Sequence, residues 1–498
     1  MSFRAVNIIA TLAVVAALAA EDRGDSLYLD FGTALQAVLT NNADVTEAKF
    51  AWLSESEAAT GAYGKFEPRL VGRAFKETAE RPGALFTETK EEYKIGVQGA
   101  LPTGTEYNVG FNQATYTHSD YTSELYFGGE LRQHLLKDGP LFFSATNELE
   151  QARLRRELAY QKYREALNDI LEKFCDAYWN YYYADRFLAS ATESARVAKD
   201  IVEDAGKRLK QGLLSPLDYS KAVAEYSDRE SARLDALDKL RGARLTLLLT
   251  LSSSEYIHDP RPIAMRPDLA PDSAARLDSL TFLDSMSLMH PGYLSQGAEV
   301  MLRESELSAR RADWLPTVDL IGNYGIRSRN NKAREAVRNF KTEGKRQTVL
   351  AGGIEINIPL FGGVAERHRI SAQKYSVRAA RTRLMLLQAQ IFEEYRILQN
   401  RAQEIREQWR YGQIAVEYHQ KELEEEFKKL AMGKSNYREI FEMEEDLREA
   451  ERRQLENMRT LRIIDVRLMR ATGKLLLQNG LETWKNDRLV LREDLTAE

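Results

Sequence analysis

The sequence predicts an α+β membrane protein built from a duplicated unit, in which a β-hairpin leads into long α-helical coiled coils. Two stretches of similar organisation begin 248 positions apart, which indicates an internal repeat. Each stretch gives way to segments in which apolar and polar residues alternate, as they do in β-strands. The strand-like segments of both units precede proline-free tracts with heptad spacing of apolar residues, which is typical of coiled coils.

The first 19 residues have the features of a secretory signal peptide. Arg4 supplies the positive charge, residues 5–16 are an apolar run, and residues 17–19 (Ala-Leu-Ala) fit the small-residue cleavage rule. A short membrane anchor is the alternative, but the run is too short for a comfortable span of a bilayer. We therefore predict an exported protein whose signal peptide is residues 1–19.

Composition argues against several classes of function. The formal net charge is -5, and basic and acidic residues are interspersed, so we expect no nucleic-acid partner. The six histidines are scattered without metal-ligand spacing, and we predict no cofactor and no catalytic site. The single cysteine, Cys175, lies in a helical pattern and is expected to be a buried packing residue.

The repeat sets the predicted domain boundaries. Residues 43 and 291 open the matching stretches and the prolines at 68 and 316 end them, so both pairs are 248 positions apart. A proline-rich segment between the units is typical of a linker. We place the first repeat unit at residues 20–252, the linker at 253–275, the second repeat unit at 276–473 and a C-terminal tail at 474–498.

The first unit is predicted to contain an extra hairpin. A glycine-containing turn interrupts the helical tract of each unit, near residues 212–218 and 433–439. Pro68 and Gly212 are 144 positions apart, whereas Pro316 and Gly433 are 117 apart, so the first unit is 27 residues longer. That length suits one β-hairpin of ~10-residue strands, and Leu-Pro-Thr-Gly at 101–104 suits its tight turn.

The strand-like segments suit the wall of a β-barrel. Residues 93–101, 105–112 and 353–359 alternate apolar with small or polar side chains, as a barrel between lipid and water requires. Half-buried strands of a soluble sheet would alternate in the same way. We count about two strands in the second unit and two to four in the first. Because the smallest barrels need about eight strands, a barrel requires a cyclic oligomer of this chain.

Two tracts predict helices of about 65 to 70 residues, each ~100 Å long at 1.5 Å per residue. The seam of the first tract comprises Tyr163, Leu167, Ile170, Phe174, Ala177, Tyr181, Ala184, Leu188, Ala191, Ala195, Ala198, Val202, Ala205 and Leu209. The seam of the second comprises Ile391, Tyr395, Leu398, Ala402, Ile405, Trp409, Gly412, Val416, His419 and Leu423. Heptads alone also fit an ordinary coiled coil, but here they follow strands in both units.

These features together resemble the TolC-like outer-membrane efflux proteins. Ile358-Pro359-Leu360-Phe361-Gly362-Gly363 is similar to the family's junction between the second hairpin and its long helix, with Pro359, Gly362 and Gly363 at the turn. Residues 312–316 resemble the helix-to-strand junction, and residues 133–136 resemble a Gln-Pro-Leu-Leu motif. His290 stands where the family usually has asparagine before proline. The resemblance covers roughly residues 27–474.

The resemblance implies a homotrimer with a shared transmembrane β-barrel joined to a periplasmic α-helical barrel. The expected partners are a periplasmic adaptor protein, an inner-membrane pump of RND, ABC or MFS type, and outer-membrane lipids. The expected function is the exit duct of a tripartite efflux or type I secretion system. Such a protein would lie in the outer membrane of a Gram-negative-type bacterium, and its gate would lie at the periplasmic tip.

The resemblance also assigns residues to that gate. Asp218 matches an acid of the closed-state network, Glu439 and Glu442 match two acids that line the constriction, and Lys434 could replace a family arginine. Gly212, Pro216 and Gly433 belong to the turns at the tip. The chain has Ser435 and Leu430 where the family has that arginine and a tyrosine. Carboxylates from three chains near one axis would raise one another's pKa and attract cations.

Two other classes of function remain open. Gly433-Lys434-Ser435 resembles part of a phosphate-binding loop, but Lys428 stands where the first glycine of that motif belongs, which argues against an enzyme. The second alternative is an exported coiled-coil scaffold or a periplasmic adaptor without a channel. Adaptors contain long helical hairpins but lack duplicated strands before them.

Overall fold

The computed structural model describes residues 27–80, 87–117, 122–139, 144–252, 263–265, 279–342, 344–358, 363–432, 434–485 and 488–496. The predicted signal peptide lies outside these residues, as does most of the predicted linker. The helices are α1 (Phe31–Asn41), α2 (Ala43–Gly61), α3 (Ser144–Lys210), α4 (Pro216–Leu251), α5 (Ser279–Met289), α6 (Pro291–Asp313), α7 (Ala333–Lys341), α8 (Val364–Ala431), α9 (Tyr437–Ala471), α10 (Leu475–Gln478) and α11 (Glu493–Thr496). The strands are β1 (Leu27–Tyr28), β2 (Arg69–Glu80), β3 (Thr87–Ala100), β4 (Thr105–Tyr116), β5 (Ser123–His134), β6 (Ile263–Ala264), β7 (Thr317–Asn330), β8 (Gln347–Asn357), β9 (Glu482–Lys485) and β10 (Arg488–Leu491).

The duplication is visible in the positions of the elements. Helices α1 and α5, helices α2 and α6, and strands β2 and β7 each begin 248 positions apart. Helices α4 and α9, which follow the turns, begin only 221 positions apart. The hairpin formed by β3 and β4 has no counterpart in the second unit and accounts for the difference of 27 residues. Its turn lies at residues 101–104, where the sequence predicts it.

Six strands form one sheet in the order β2-β3-β4-β5-β7-β8, and every neighbouring pair is antiparallel. The pairing of β5 with β7 joins the two repeat units, with Phe127 opposite Ile326. The extra hairpin lies inside the sheet, between β2 and β5. Strands β2 and β8 are therefore the two edges of the sheet, as they would be without the insertion.

The two faces of the sheet differ in polarity. One face carries Ile95, Phe111, Phe127 and Ile326 in a single row across four strands. On the same face Leu350 is 81% and Ile354 67% exposed, so this side of the sheet presents an apolar surface. The opposite face carries charged residues that pair across strands. Such a sheet has one side suited to lipid and one suited to water, as the alternation predicts.

The described residues divide into two compact units, one of which contains the six-stranded sheet (residues 51–160 and 295–386). The other unit contains most of the long helices (residues 27–50, 161–294 and 387–496). Helices α3 and α8 have 67 and 68 residues, and every residue of the two predicted seams is buried or half-buried. Cys175 is buried in α3, as predicted. Among the described residues, no helix is long and apolar enough to cross a bilayer.

Residues that the sequence assigns to a tail form ordered structure. Strands β9 and β10 make an antiparallel hairpin between α10 and α11, and Leu475 and Leu476 are buried. The Arg164 guanidinium of α3 forms an ion pair with Glu482 of β9, with 2.6 Å between Nε and Oε1. Both side chains are almost fully shielded from water, so this segment is anchored to the first long helix.

Candidate gate at the turns of the long helices

The first turn lies between α3 and α4. Gly212 has a φ of +72°, a left-handed conformation that glycine adopts without strain, and the Leu213 amide donates to the Arg208 carbonyl at 2.9 Å. Ser215 caps α4, and Pro216 occupies its first turn, where a missing N–H costs nothing. These residues end one helix and begin the next within five positions. The predicted turn residues Gly212 and Pro216 therefore determine the backbone here.

Asp218 belongs to the cap of α4. Its backbone amide donates to Ser215 Oγ at 3.1 Å, and the Ser215 hydroxyl donates to Asp218 Oδ2 at 2.6 Å. Lys221 Nζ lies 3.7 Å from the other carboxylate oxygen. An acid in the first turn of a helix is stabilised by the helix dipole. Within one chain, the contacts of Asp218 are thus those of a capping residue.

The second turn lies between α8 and α9 and has a similar cap. Asn436 Oδ1 accepts from the Glu439 amide at 3.1 Å, and Asn436 Nδ2 donates to Glu439 Oε1 at 2.9 Å. The Ser435 hydroxyl donates to Glu439 Oε2 at 3.1 Å. Glu439 is exposed and positioned by the turn, so its carboxylate has a defined location. Gly433 lies outside the described residues.

The other two candidate gate residues lie beside this cap. Glu442 accepts from Arg438 Nε at 2.7 Å, one helical turn away, and its side chain is 59% exposed. Lys434 is exposed, and its backbone amide donates to the Lys429 carbonyl at 2.9 Å. The described turn therefore presents two acids, Glu439 and Glu442, together with the cations Lys434 and Arg438 on its surface.

One hydrophobic cluster holds the two turns together. It contains buried residues of all four helices: Ala198, Ile201 and Ala205 of α3, Ala222 of α4, Leu423 and Leu430 of α8, and Tyr437, Ile440, Phe441 and Leu447 of α9. Leu214, in the first turn, packs against the same cluster. The candidate gate residues of both turns are thus carried on one packed end of the helix bundle.

The sequence did not reveal a polar link between α9 and α3 at this end. The Tyr437 hydroxyl donates a hydrogen bond to Asp204, and Arg208 Nε lies 3.0 Å from the same carboxylate. Arg208 also lies over the Tyr437 ring, 5.4 Å from its centroid. Burial, together with the bond to Asp204, raises the pKa of Tyr437, so this phenol stays protonated and keeps donating. The only sequence signal is that Tyr437 lies within the second predicted turn.

A second polar network, farther along the bundle, connects α4 with α9. Arg229 lies 2.6 Å from Glu445 and 3.3 Å from Glu444, whose carboxylate also accepts from Arg448 at 2.7 Å. Arg448 in turn contacts Glu451, which accepts from the Ser190 hydroxyl of α3 at 2.8 Å. Glu444 is only 1% exposed, so its charge depends on these two arginines.

The predicted strand-to-helix junction is described in part. Gly363 has a φ of +60°, and a side chain there would approach Trp314 Cδ1 to 3.3 Å. Gly363, the last residue of the junction motif, therefore lies beside Trp314 of the motif at 312–316. Pro359 and Gly362 lie outside the described residues.

Comparison with solved structures finds a similar fold, a β-sheet with long α-helices, in outer-membrane channel proteins. The fold is similar to that of the CmeC outer membrane channel of Campylobacter jejuni, with a TM-score of 0.65, 14% identity, and coverage of 89% of this chain and 85% of CmeC. It is also similar to the MtrE outer membrane channel of Neisseria gonorrhoeae in its open state, with a TM-score of 0.62, 13% identity, and coverage of 89% of each chain.

Sequence comparison finds similarity to one protein family over part of the chain. Residues 291–474 match the family model of the outer membrane efflux proteins. The chain is 28% identical over 232 residues to Protein CyaE of Bordetella pertussis, an alignment that spans 46% of each protein. The chain thus matches just under half the length of this curated relative. The predicted resemblance to the TolC-like outer membrane efflux proteins is confirmed.

Proposed function

We propose that this chain is one protomer of a homotrimeric exit duct in the outer membrane, which conducts solutes passively and is gated at the turns of its long helices. The observation that carries the proposal is the six-stranded sheet, whose edge strands β2 and β8 have no further partner strand in the described part of the chain. Edge strands of this length expose a row of backbone donors and acceptors, which a bilayer does not tolerate. Pairing between copies of the chain would satisfy them.

Strand direction supports closure between copies. All neighbouring strands in the sheet are antiparallel, so strand direction alternates across it. Because the sheet has six strands, an even number, the last strand, β8, runs opposite to the first, β2. The β8 of one copy can therefore pair antiparallel with the β2 of the next. Six strands are fewer than the eight of the smallest barrels. Three copies would contribute 18 strands, and barrels of about 16–18 strands enclose a water-filled channel.

The faces of the sheet support the same arrangement. With the apolar face outward, Ile95, Phe111 and Leu350 would contact lipid, whereas Arg132 would point into the channel. Arg132 lies 3.0 Å from Asp319 and 2.9 Å from Glu355, and these cross-strand pairs would tolerate water but not lipid. The opposite orientation would place these charges in hydrocarbon.

The helices would then extend into the periplasm, with the described turns at their far end. Family resemblance supports docking of a periplasmic adaptor protein there and coupling to an inner-membrane pump of RND, ABC or MFS type. The same resemblance leaves a type I secretion system as the second candidate assembly. Docking would bias the helices between a closed and a dilated arrangement.

Engineered disulfides between strand edges test the trimer. One cysteine is placed in β8 (Leu350 or Ile354) and one in β2 (Leu70 or Gly72), all on the apolar face, and the four combinations are compared. Opposed residues on one face are close enough for a disulfide. We expect at least one combination to give dimers and trimers on non-reducing gels. In the control variant, Val109→Cys with Gly129→Cys, the two cysteines lie opposite each other on neighbouring strands of the same chain. This variant should give no intermolecular product. A β2–β8 bond formed within a monomer would overturn the proposal.

The acids of the second turn are expected to make the channel prefer cations. Replacing Glu439 and Glu442 by glutamine keeps the hydrogen-bonding shape of both side chains but removes two charges per chain. We expect the reversal potential in a salt gradient to move toward the value for equal cation and anion permeability. The charge-matched control replaces the exposed Glu407 and Glu417 of α8 and should leave selectivity as it was. If both variants shift the reversal potential equally, the assignment of Glu439 and Glu442 to the gate is wrong.

A further inference from the structure

Helix α7 lies at one end of the sheet, and the chain leads from strands at the other end into α3 and α8. It connects β7 to β8, and it begins after Asn330, which pairs with Ser123 at the start of β5. Helices α3 and α8 begin beyond the other end, after His134 and Asn357. If the proposed function holds, and this inference rests on it, α7 lies at the extracellular side of the barrel.

The helix packs on the apolar face of the sheet. The Phe340 ring of α7 lies 6.2 Å from the Phe111 ring, which lies 4.4 Å from the Phe127 ring. Ala336, one turn before Phe340, is 1% exposed. Phe111 and Phe127 belong to the face that would contact lipid. Helix α7 is therefore on the outside of the sheet, near its rim, rather than in the channel.

The other side of α7 is basic. Arg334, Arg338 and Lys341 follow the helical spacing of four and three residues and are exposed. None of the three forms an ion pair with another described residue. Lys332 and Lys345, on either side of the helix, are also exposed. Glu335 is the only acid within α7, and it is half-buried.

We propose that the basic side of α7 binds the phosphorylated headgroups of anionic lipids in the outer leaflet. An amphipathic helix with aromatic and small residues on one face and basic residues on the other is suited to the membrane interface. Arginine and lysine form charge-assisted hydrogen bonds with phosphate oxygens. The apolar sheet beneath α7 would contact the acyl chains of the same lipid, which a free phosphate ion cannot provide.

The test compares the purified trimer with an Arg334→Gln, Arg338→Gln, Lys341→Gln variant. The probes are lipid A, its bis-dephosphorylated form and inorganic phosphate, and bound lipid is measured by native mass spectrometry in detergent. Each basic residue near an anionic headgroup increases the affinity roughly fivefold. Because the variant lacks three of them, it should bind lipid A about 100-fold more weakly than the original protein. A control with the same charge change, Lys374→Gln, Arg383→Gln, Lys421→Gln in α8, should bind as the original protein does.

The readouts separate this inference from the proposed function. Failure to form a trimer, or absence from outer-membrane fractions, would contradict the proposed function. An intact trimer that retains lipid A and its dephosphorylated form equally would contradict the α7 proposal alone. Equal retention of lipid A by the α7 variant and the α8 control would also contradict it, as would displacement of lipid A by inorganic phosphate at equal concentration.

Discussion

Replacement of Arg164 by methionine is expected to destabilise the helical unit by about 3–5 kcal/mol, because it leaves a buried carboxylate without its cation. Arg164 Nε lies 2.6 Å from Glu482 Oε1, and the two side chains are 2% and 0% exposed. The guanidinium also donates to Gln161 Oε1 at 2.7 Å and to the Met289 carbonyl at 3.3 Å. Glu482 Oε2 has no hydrogen-bond partner in the described part of the chain, so Arg164 is its main compensation.

Urea denaturation of the detergent-solubilised protein measures this effect. The variant should unfold at a lower midpoint concentration of urea than the original protein. Arg156→Met, at an exposed position of the same helix, is the matched control and should change stability by less than about 0.5 kcal/mol. The double variant Arg164→Met with Glu482→Leu removes both charges and should recover most of the loss. If the double variant is as unstable as the single one, lost packing rather than an unpaired charge is the cause.

The features that the sequence predicts well are those with local or periodic signals. The seam residues of α3 and α8 are buried or half-buried because heptad spacing places them on one helix side, whatever they pack against. The extra hairpin could be located because a 27-residue difference in length and a proline-glycine turn coincide. The predicted count of two to four strands in the first unit includes the four, β2 to β5, that this unit contributes to the six-stranded sheet.

The features that the sequence does not predict depend on contacts between distant residues. Arg164 and Glu482 are 318 positions apart, and neither lies in a motif, so residues 474–498 looked like a tail. Tyr437 and Asp204 meet only because both turns lie on one hydrophobic cluster. Helix α7 is short and rich in charged residues, so its sequence does not indicate a helix. Its packing depends on the contact of Phe340 with Phe111 of the sheet, which is distant in sequence.

Asparagine and histidine cap corresponding helices of the two repeat units, α2 and α6. Asn42 Oδ1 accepts from the Asp44 amide at 2.9 Å and caps α2. His290, 248 positions later, accepts from the Tyr293 amide through Nδ1 at 3.2 Å and caps α6. Histidine thus replaces the asparagine of the family at this position and still supplies an acceptor. Unlike asparagine, however, it loses that acceptor when it is protonated.

The cap of α6 is therefore expected to weaken in acid. Burial lowers the pKa of His290 from 6.5 to about 4, and the nearby cations Arg470 and Arg164 act in the same direction. Because the folded state holds the proton less tightly than the unfolded chain, the stabilisation is complete above pH 6.5. It is lost as the pH falls from 6.5 to 4. The loss at pH 5 is about 2 kcal/mol by linkage.

Thermal unfolding at pH 7.5 and pH 5 tests this expectation. His290→Asn keeps an acceptor for the Tyr293 amide but cannot be protonated, so its midpoint should fall less between the two pH values than that of the original protein. The converse variant, Asn42→His, places a titratable cap on α2 and should increase the fall, because Asn42 is likewise buried. Parallel pH dependence in all three proteins would mean that protonation of His290 is not what weakens the fold, and that groups elsewhere in the chain dominate its response to acid.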